Sequence, residues 1–157
     1  MVALRPMRSA EFPAYLDYFI PEYAAEISAN YGVSDTAALA QARREIADDL
    51  PDGPDTHGQV LLCITADGDD DAIGYLWYHP DKDLRLAFIS DFHILAAHQG
   101  KGFGTRALSA LEAALSDAGF EQIRLRVAAD NQRAQHIYRT GGFRVTGVNM
   151  SKQIGKA

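Results

Sequence analysis

Cysteine is nearly missing from this chain: Cys63 is the only one in 157 residues. A single thiol excludes an internal disulfide framework and any zinc site built on several cysteines. Long apolar runs are missing as well, and none approaches the ~20 residues that a bilayer-spanning helix needs. The opening Met-Val-Ala-Leu-Arg-Pro-Met-Arg-Ser-Ala-Glu-Phe lacks the apolar stretch and small-residue cleavage site of a secretory leader. Basic excess is absent, because the formal net charge is −6. A duplex nucleic acid would find no basic footprint on such a protein. The five histidines (57, 79, 93, 98 and 136) show no metal-binding spacing, so no metal is expected. No segment repeats, and no low-complexity linker divides the chain. The expectation is one domain over residues 1–157, cytoplasmic, with neither membrane nor nucleic acid as partner.

The charge that is present is unevenly spread. Residues 1–75 hold 14 Asp/Glu against 4 Lys/Arg, whereas residues 76–157 hold 7 against 11. The basic half suits a small polyanion, and the acidic half suits a cationic second ligand. Hydrophobic periodicity orders the elements β-α-α-β-β-β-α-β-α-β, an α/β (α+β) domain with a mixed sheet. Ser9 can cap a helix running to about Asn30, which Pro21 should break or kink. Ser34 or Asp35 caps a second helix ending near Leu50. Gln59–Ala66 and Ala72–His79 read as a hairpin across an acidic tip, and Arg85–Leu95 as the next strand. Ile123–Ala128 is a further strand, Asn131–Thr140 a short helix, and Phe143–Ile154 a final extended segment.

The densest signal is Gln99-Gly100-Lys101-Gly102-Phe103-Gly104-Thr105-Arg106, where a strand gives way to a helix through three alternating glycines. Free N–H groups at a helix start, with its dipole and nearby cations, make an anion site suited to a phosphate or pyrophosphate. No P-loop string occurs in the chain. Gly102-Phe-Gly104-Thr-Arg-Ala107 matches the dinucleotide fingerprint only formally. Too little chain follows for that fold, and the next strand carries Arg124 and Arg126 instead of a ribose-binding acid.

The loop resembles the [QR]-x-x-G-x-[GA] pyrophosphate loop of the GNAT superfamily of acetyl-CoA-dependent N-acetyltransferases. A second string, Asn131-Gln-Arg-Ala134-Gln-His-Ile-Tyr138-Arg-Thr-Gly-Gly142-Phe143, resembles that family's N-x-x-A-x-x-x-Y-x-x-x-G-F signature. Tyr23-Ala24, Leu50-Pro-Asp-Gly53, Gly74-x-x-Trp77 and Val145–Lys152 resemble a bacterial subgroup whose members mostly have no assigned acceptor. The resemblance implies a GNAT fold, with six to seven strands flanked by about four helices. It also implies acetyl-CoA as cosubstrate, a small-molecule or peptide amine as acceptor, and frequent pairing as homodimers. Gln99 stands where many relatives carry Arg, which removes one cationic contact to the pyrophosphate.

The implied reaction is direct attack of a primary amine on the acetyl group in a ternary complex. Ile94, Gln99, Gly100, Lys101, Gly102, Phe103, Gly104, Thr105 and Asn131 are the expected cofactor contacts. A backbone N–H near Ile94 is implied as the oxyanion donor. Asn131 can serve equally as a helix N-cap. Tyr138 occupies the family position of the acid that protonates the departing thiolate. Asp91 and His93 are candidate bases, but alternation points both to the strand face opposite Phe92 and Ile94, unless a bulge intervenes. Glu22, Tyr23 and Glu26 lie in the region that lines the acceptor side in the family. Tyr23, Glu26 and Trp77 are the expected acceptor contacts, though Trp77 could equally be core. Cys63, mid-strand among aliphatic residues, reads as a buried hydrophobe. The rival is a non-catalytic acyl-CoA-binding or sensing domain, which would have no use for a thiolate acid at Tyr138.

Overall fold

Alternating apolar residues in 59–66 and 72–79, joined by an acidic turn, make the antiparallel hairpin at the centre of the fold. Residues 1–155 are described by the structure, a computed structural model. Strands β1 (Val2–Pro6), β2 (Val60–Ala66), β3 (Ala72–Asp81), β4 (Leu86–Ile94) and β5 (Gln122–Leu125) form one sheet in that order. β1 to β4 are antiparallel neighbours, and β5 runs parallel to β4. Helices α1 (Phe12–Tyr31) and α2 (Asp35–Asp49) cover one face; α3 (Phe103–Asp117) and α4 (Gln132–Thr140) cover the other.

Each face has its own core. Tyr15 and Phe19 of α1 and Ile46 of α2 pack on Leu61, Cys63, Tyr75 and Trp77. Ala107, Leu108, Leu111 and Leu115 of α3, with Tyr138 of α4, pack on Ile64, Leu76, Ala87, Ile89 and Ile94. Burial pushes the Cys63 thiol up to about 11. Ser34 caps α2 by accepting from Ala37 N–H at 3.2 Å.

Three expectations need correction. The sheet among the described residues has five strands, not six to seven. The expected final extended segment, Phe143–Ile154, joins no sheet and runs without regular structure. Pro21 does not break α1, which continues unbroken through it. One lost hydrogen bond is outweighed there by Tyr15 and Phe19 before the proline and Ala24 and Ile27 after it, all buried. Ser9 lies within a short 3-10 helix, Ser9–Glu11, that leads into α1 and does not cap it. No described helix is long and apolar enough to cross a membrane.

Candidate active site

The site grows from a fault in β4. Trp77 pairs with Asp91, but Tyr78 pairs with Ile89, so Ser90 is an extra residue without a partner. Ala87 and Ile89 before it, and Phe92 and Ile94 after it, all face the α3–α4 core. An unbroken alternation would have carried Asp91 and His93 into that core. The bulge instead turns both toward α1. β4 pairs with β5 only from Leu86 to Ile89, and beyond that the two parallel strands part. The Leu95 N–H bond to the Ile73 carbonyl (2.8 Å) fixes which residues bond to β3. By antiparallel alternation, the N–H and C=O of Phe92 and Ile94 then point into the gap.

On one side of the gap lies a cleft of about 660 Å³ lined by the glycine loop. Gly100 and Gly102 have φ of +78° and +82°, flanking Lys101. Such alternation curls successive N–H groups inward, as a nest for an anion. The first intrahelical bond of α3 is Arg106 N–H to the Gly102 carbonyl, so the N–H groups of Phe103, Gly104 and Thr105 have no helical acceptor. A Cβ on Gly104 would stand 3.3 Å from Ile137 Cδ1, which explains why the helix enters on a glycine. Gln99 Nε2 donates to the Ile94 carbonyl at 2.7 Å, and its Oε1 accepts from Arg133 Nη1. This donor set fits a pyrophosphate.

On the other side lies a cleft of about 620 Å³ with a different character. Glu22, Glu26, Glu45, Asp49, Asp91 and Asp130 line it, against one lysine or arginine, Arg126. Arg126 Nη1 is bound to Glu26 Oε1 at 3.1 Å. Asp91 Oδ2 accepts from Tyr15 Oη at 2.8 Å and Oδ1 from Tyr18 Oη at 3.1 Å. Burial pushes the Asp91 carboxyl up to about 7, against the downward pull of those two bonds. His93 stacks on Tyr18 with ring centres 4.0 Å apart. Burial, aided by the Arg133 charge, lowers its imidazole to about 4, so it is neutral at physiological pH. Tyr138 is 8% exposed, and burial, then the nearby Asp91, raise its hydroxyl far above the ordinary range.

Glu22, Phe92, His93, Asn131 and Ala134 line both clefts, which therefore adjoin. The residues singled out from the sequence fall on them in an orderly way. Ile94, Gln99, Gly100, Gly102, Phe103, Gly104 and Thr105 line the loop cleft; Lys101 lies outside that lining, with its carbonyl accepting from Arg106 Nη2 at 2.8 Å. Asn131 caps α4 by accepting from Ala134 N–H at 3.1 Å. Tyr23, Glu26 and Trp77 line the acidic cleft together with Asp91 and Tyr138. Trp77 is also core, with Nε1 donating to Gln59 Oε1 at 2.7 Å. Sequence reasoning missed Tyr18 and Tyr15 as partners of Asp91, and Arg133 as the cation beside Gln99. The Arg in Asn131-Gln-Arg133-Ala134 could have been found as a charge at a helix start facing an anion loop. No group of three or more His, Cys, Asp or Glu among the described residues is placed to hold a metal.

Comparison with known proteins places this geometry in context. The sequence pattern of the Acetyltransferase (GNAT) family matches residues 19–143. The chain is 35% identical over 156 residues to the uncharacterized N-acetyltransferase YycN of Bacillus subtilis (strain 168), covering 98% of this chain and 99% of that one. The crystal structure of YycN superimposes with a TM-score of 0.91 over 99% of this chain and 100% of the other. At lower identity the fold is shared with the PaiA N-acetyltransferase of Thermoplasma acidophilum, solved with coenzyme A. There the TM-score is 0.72 and the identity 15%, over 95% of this chain and 93% of that one. It is shared too with the spermidine N-acetyltransferase of Vibrio cholerae, solved with CoA and spermine. Here the TM-score is 0.65 and the identity 20%, over 93% and 82%.

Proposed function

We propose, from the premise that this chain belongs to the GNAT family of acetyl-CoA-dependent acetyltransferases, that it acetylates a cationic primary amine by direct attack in a ternary complex. The chain would act as one acetyltransferase unit over residues 1–157, in the reducing cytoplasm that its lone buried thiol suits. The observation that carries this reading is the junction of two unlike clefts, one of free N–H groups and one of carboxylates, with Asp91 and Tyr138 beside it. Polyanion and cation would arrive from opposite sides and meet at Phe92 and His93.

Acetyl-CoA supplies an activated acyl thioester. The N–H groups of Gly100 to Thr105 hold its pyrophosphate, and Arg133 stands in for the cation that Gln99 does not provide. The Glu22, Glu26 and Glu45 carboxylates draw the acceptor in as an ammonium. Asp91, raised toward neutrality, takes a proton from the ammonium so that nitrogen can attack. Tyr15 and Tyr18 hold that carboxylate in place. The Ile94 N–H, free of β3, meets the negative charge that develops on the acetyl oxygen. The N–C bond forms, the C–S bond breaks, Tyr138 gives its proton to the leaving sulfur, and the second proton shed by the new amide nitrogen restores the Tyr138 phenol. His93, neutral and stacked on Tyr18, is a wall between the clefts in this scheme.

The spermidine N-acetyltransferase that shares the fold supports testing polyamines first. CoA release would be followed across diamines, polyamines, aminoglycosides, neutral amino acids and peptides with a free amine. Release above the hydrolysis blank with polycationic amines is expected, together with its loss in Tyr138→Phe while acetyl-CoA still binds. Turnover confined to neutral amino acids would sink the cationic assignment. Equal rates in wild type and Tyr138→Phe would remove Tyr138 as the acid.

A further inference from the structure

The acidic cleft already holds a cation of its own. Along β5 and its continuation, Ile123, Leu125 and Val127 pack against the α3–α4 core, and alternation turns Arg124 and Arg126 to the other face. Arg124 stays on its own strand, its Nε donating to Gln122 Oε1 at 3.0 Å. Arg126 reaches α1 instead. Its Nη1 donates to Glu26 Oε1 at 3.1 Å and its Nη2 to Tyr31 Oη at 3.2 Å. As a structural tie this pair is weak. The two side chains are 43% and 35% exposed, and an ion pair so open to water adds little to stability.

Its place says more than its strength. Tyr18, Glu22, Ala25, Glu26 and Ala29 form the stripe of α1 that lines the acidic cleft, at helical spacing. Tyr18 holds Asp91 at the reacting end of that stripe. Glu22 stands about one turn further along, and Glu26 about two. An acceptor that extends from Asp91 along this stripe therefore meets Glu26, and there it meets the guanidinium. Arg126 is tethered and partly in water, so rotation of its side chain alone can free the carboxylate. An alkylammonium is a compact charge whose three donors can take its place on one carboxylate.

We propose that Arg126 is a specificity-determining residue: its guanidinium occupies the Glu26 carboxylate in place of the acceptor's far ammonium, and an acceptor that carries a second ammonium displaces it. The inference rests on the acetylation of a cationic amine at Asp91. A monoamine leaves the Arg126–Glu26 pair intact and draws nothing from Glu26. A diamine reaches Glu26 but has to break that pair first. The preference of the wild type for a second charge is therefore smaller than its carboxylates alone would produce, because specificity is a difference between two affinities. Without the guanidinium the difference widens.

The test compares 1,6-diaminohexane with n-hexylamine, which lacks the second ammonium. Arg126→Gln should raise the diamine-to-monoamine ratio of kcat/KM about two- to fivefold, the usual weight of a half-exposed ion pair. In a Glu26→Gln background the same substitution should leave that ratio where it was, since no carboxylate remains to be exchanged. An unchanged or lower ratio in Arg126→Gln overturns the proposal. An equal rise with and without Glu26 overturns it too, because the net charge of the cleft would then do the sorting. Calorimetric titration of 1,6-diaminohexane into the CoA-bound enzyme follows the exchange without turnover, and Kd should fall by the same factor in Arg126→Gln. A Kd that responds while neither amine is acetylated would keep the exchange on Glu26 and sink the acetyl transfer. Turnover of the diamine with an unresponsive Kd and ratio would keep the acetyl transfer and sink the exchange.

Discussion

The two clefts share a wall but are made of different material. The loop cleft is built from backbone: N–H groups, positive-φ glycines and a helix start, all within residues 99–106. The carboxylates of the acidic cleft are side chains that four distant segments bring together, namely α1, α2, β4 and the stretch after β5. Backbone donors look alike from one protein to the next, so such a cradle can serve a cosubstrate common to a whole family. Side chains can be changed one at a time, and an acceptor site made of them is free to differ between relatives. A cosubstrate site made of backbone and an acceptor site made of side chains are thus open to change to very different degrees.

The contrast can be broken most severely at Asp91. Asp91→Asn should lower kcat by about 10²–10⁴-fold, the usual contribution of a positioned base. Acetyl-CoA affinity, measured by calorimetry, should stay unchanged, since the loop cleft is untouched. The wild-type rate should rise with pH through about 7, as the Asp91 carboxyl ionises, and that inflection should vanish in the variant. Stability should move the other way. The folded carboxyl sits above its unfolded value, so its protonated form favours folding, and stability is lost as pH rises from about 4 to about 7. Asp91→Asn should therefore melt higher relative to wild type at alkaline pH than at acid pH.

Gly104→Val attacks the other cleft. A side chain there meets Ile137 and fills the approach to the N–H cradle. Acetyl-CoA affinity should fall by more than about tenfold, or 1.4 kcal/mol, by titration. The fold should lose about 1–3 kcal/mol to overpacking, seen as a lower Tm. Tyr18→Phe is subtler, for it removes one of the two hydroxyl donors that, with the Phe92 backbone, hold the Asp91 carboxyl down. The acid limb of the rate profile should shift to higher pH, with activity lost at mildly acid pH and recovered in alkali. An unmoved limb would mean that Tyr18 does not act through Asp91. Arg133→Gln should be smallest, a few-fold rise in KM for acetyl-CoA that fades with added salt, as expected of an exposed cation.

The same division explains what could be read from the sequence. Gln99–Arg106 is one continuous string whose geometry depends on its own glycines, so the loop and the helix it opens were legible. The N-cap at Asn131 and the four helices were legible for the same local reason. Asp91 was singled out, but not the tyrosines that hold it, because Tyr15 and Tyr18 lie more than seventy residues away along the chain. Phe143–Ile154 reads as an extended segment, but it joins no sheet among the described residues, because strand pairing depends on neighbours that a local pattern does not specify. Pro21 was misjudged because a local penalty was weighed without the packing on both sides of it.

The extra residue at Ser90 makes β4 behave like a text with a reading frame. Before it the odd-numbered residues Ala87 and Ile89 face the α3–α4 core, and after it the even-numbered Phe92 and Ile94 do. Deleting Ser90 would change no group named in the chemistry, yet it would send the Asp91 carboxylate and the His93 ring toward Leu111 and Leu115 and push Phe92 and Ile94 toward α1. A substitution such as Ser90→Ala should pass almost unnoticed, since the side chain is exposed. In a library of single changes, position 90 should therefore tolerate many letters and no omission.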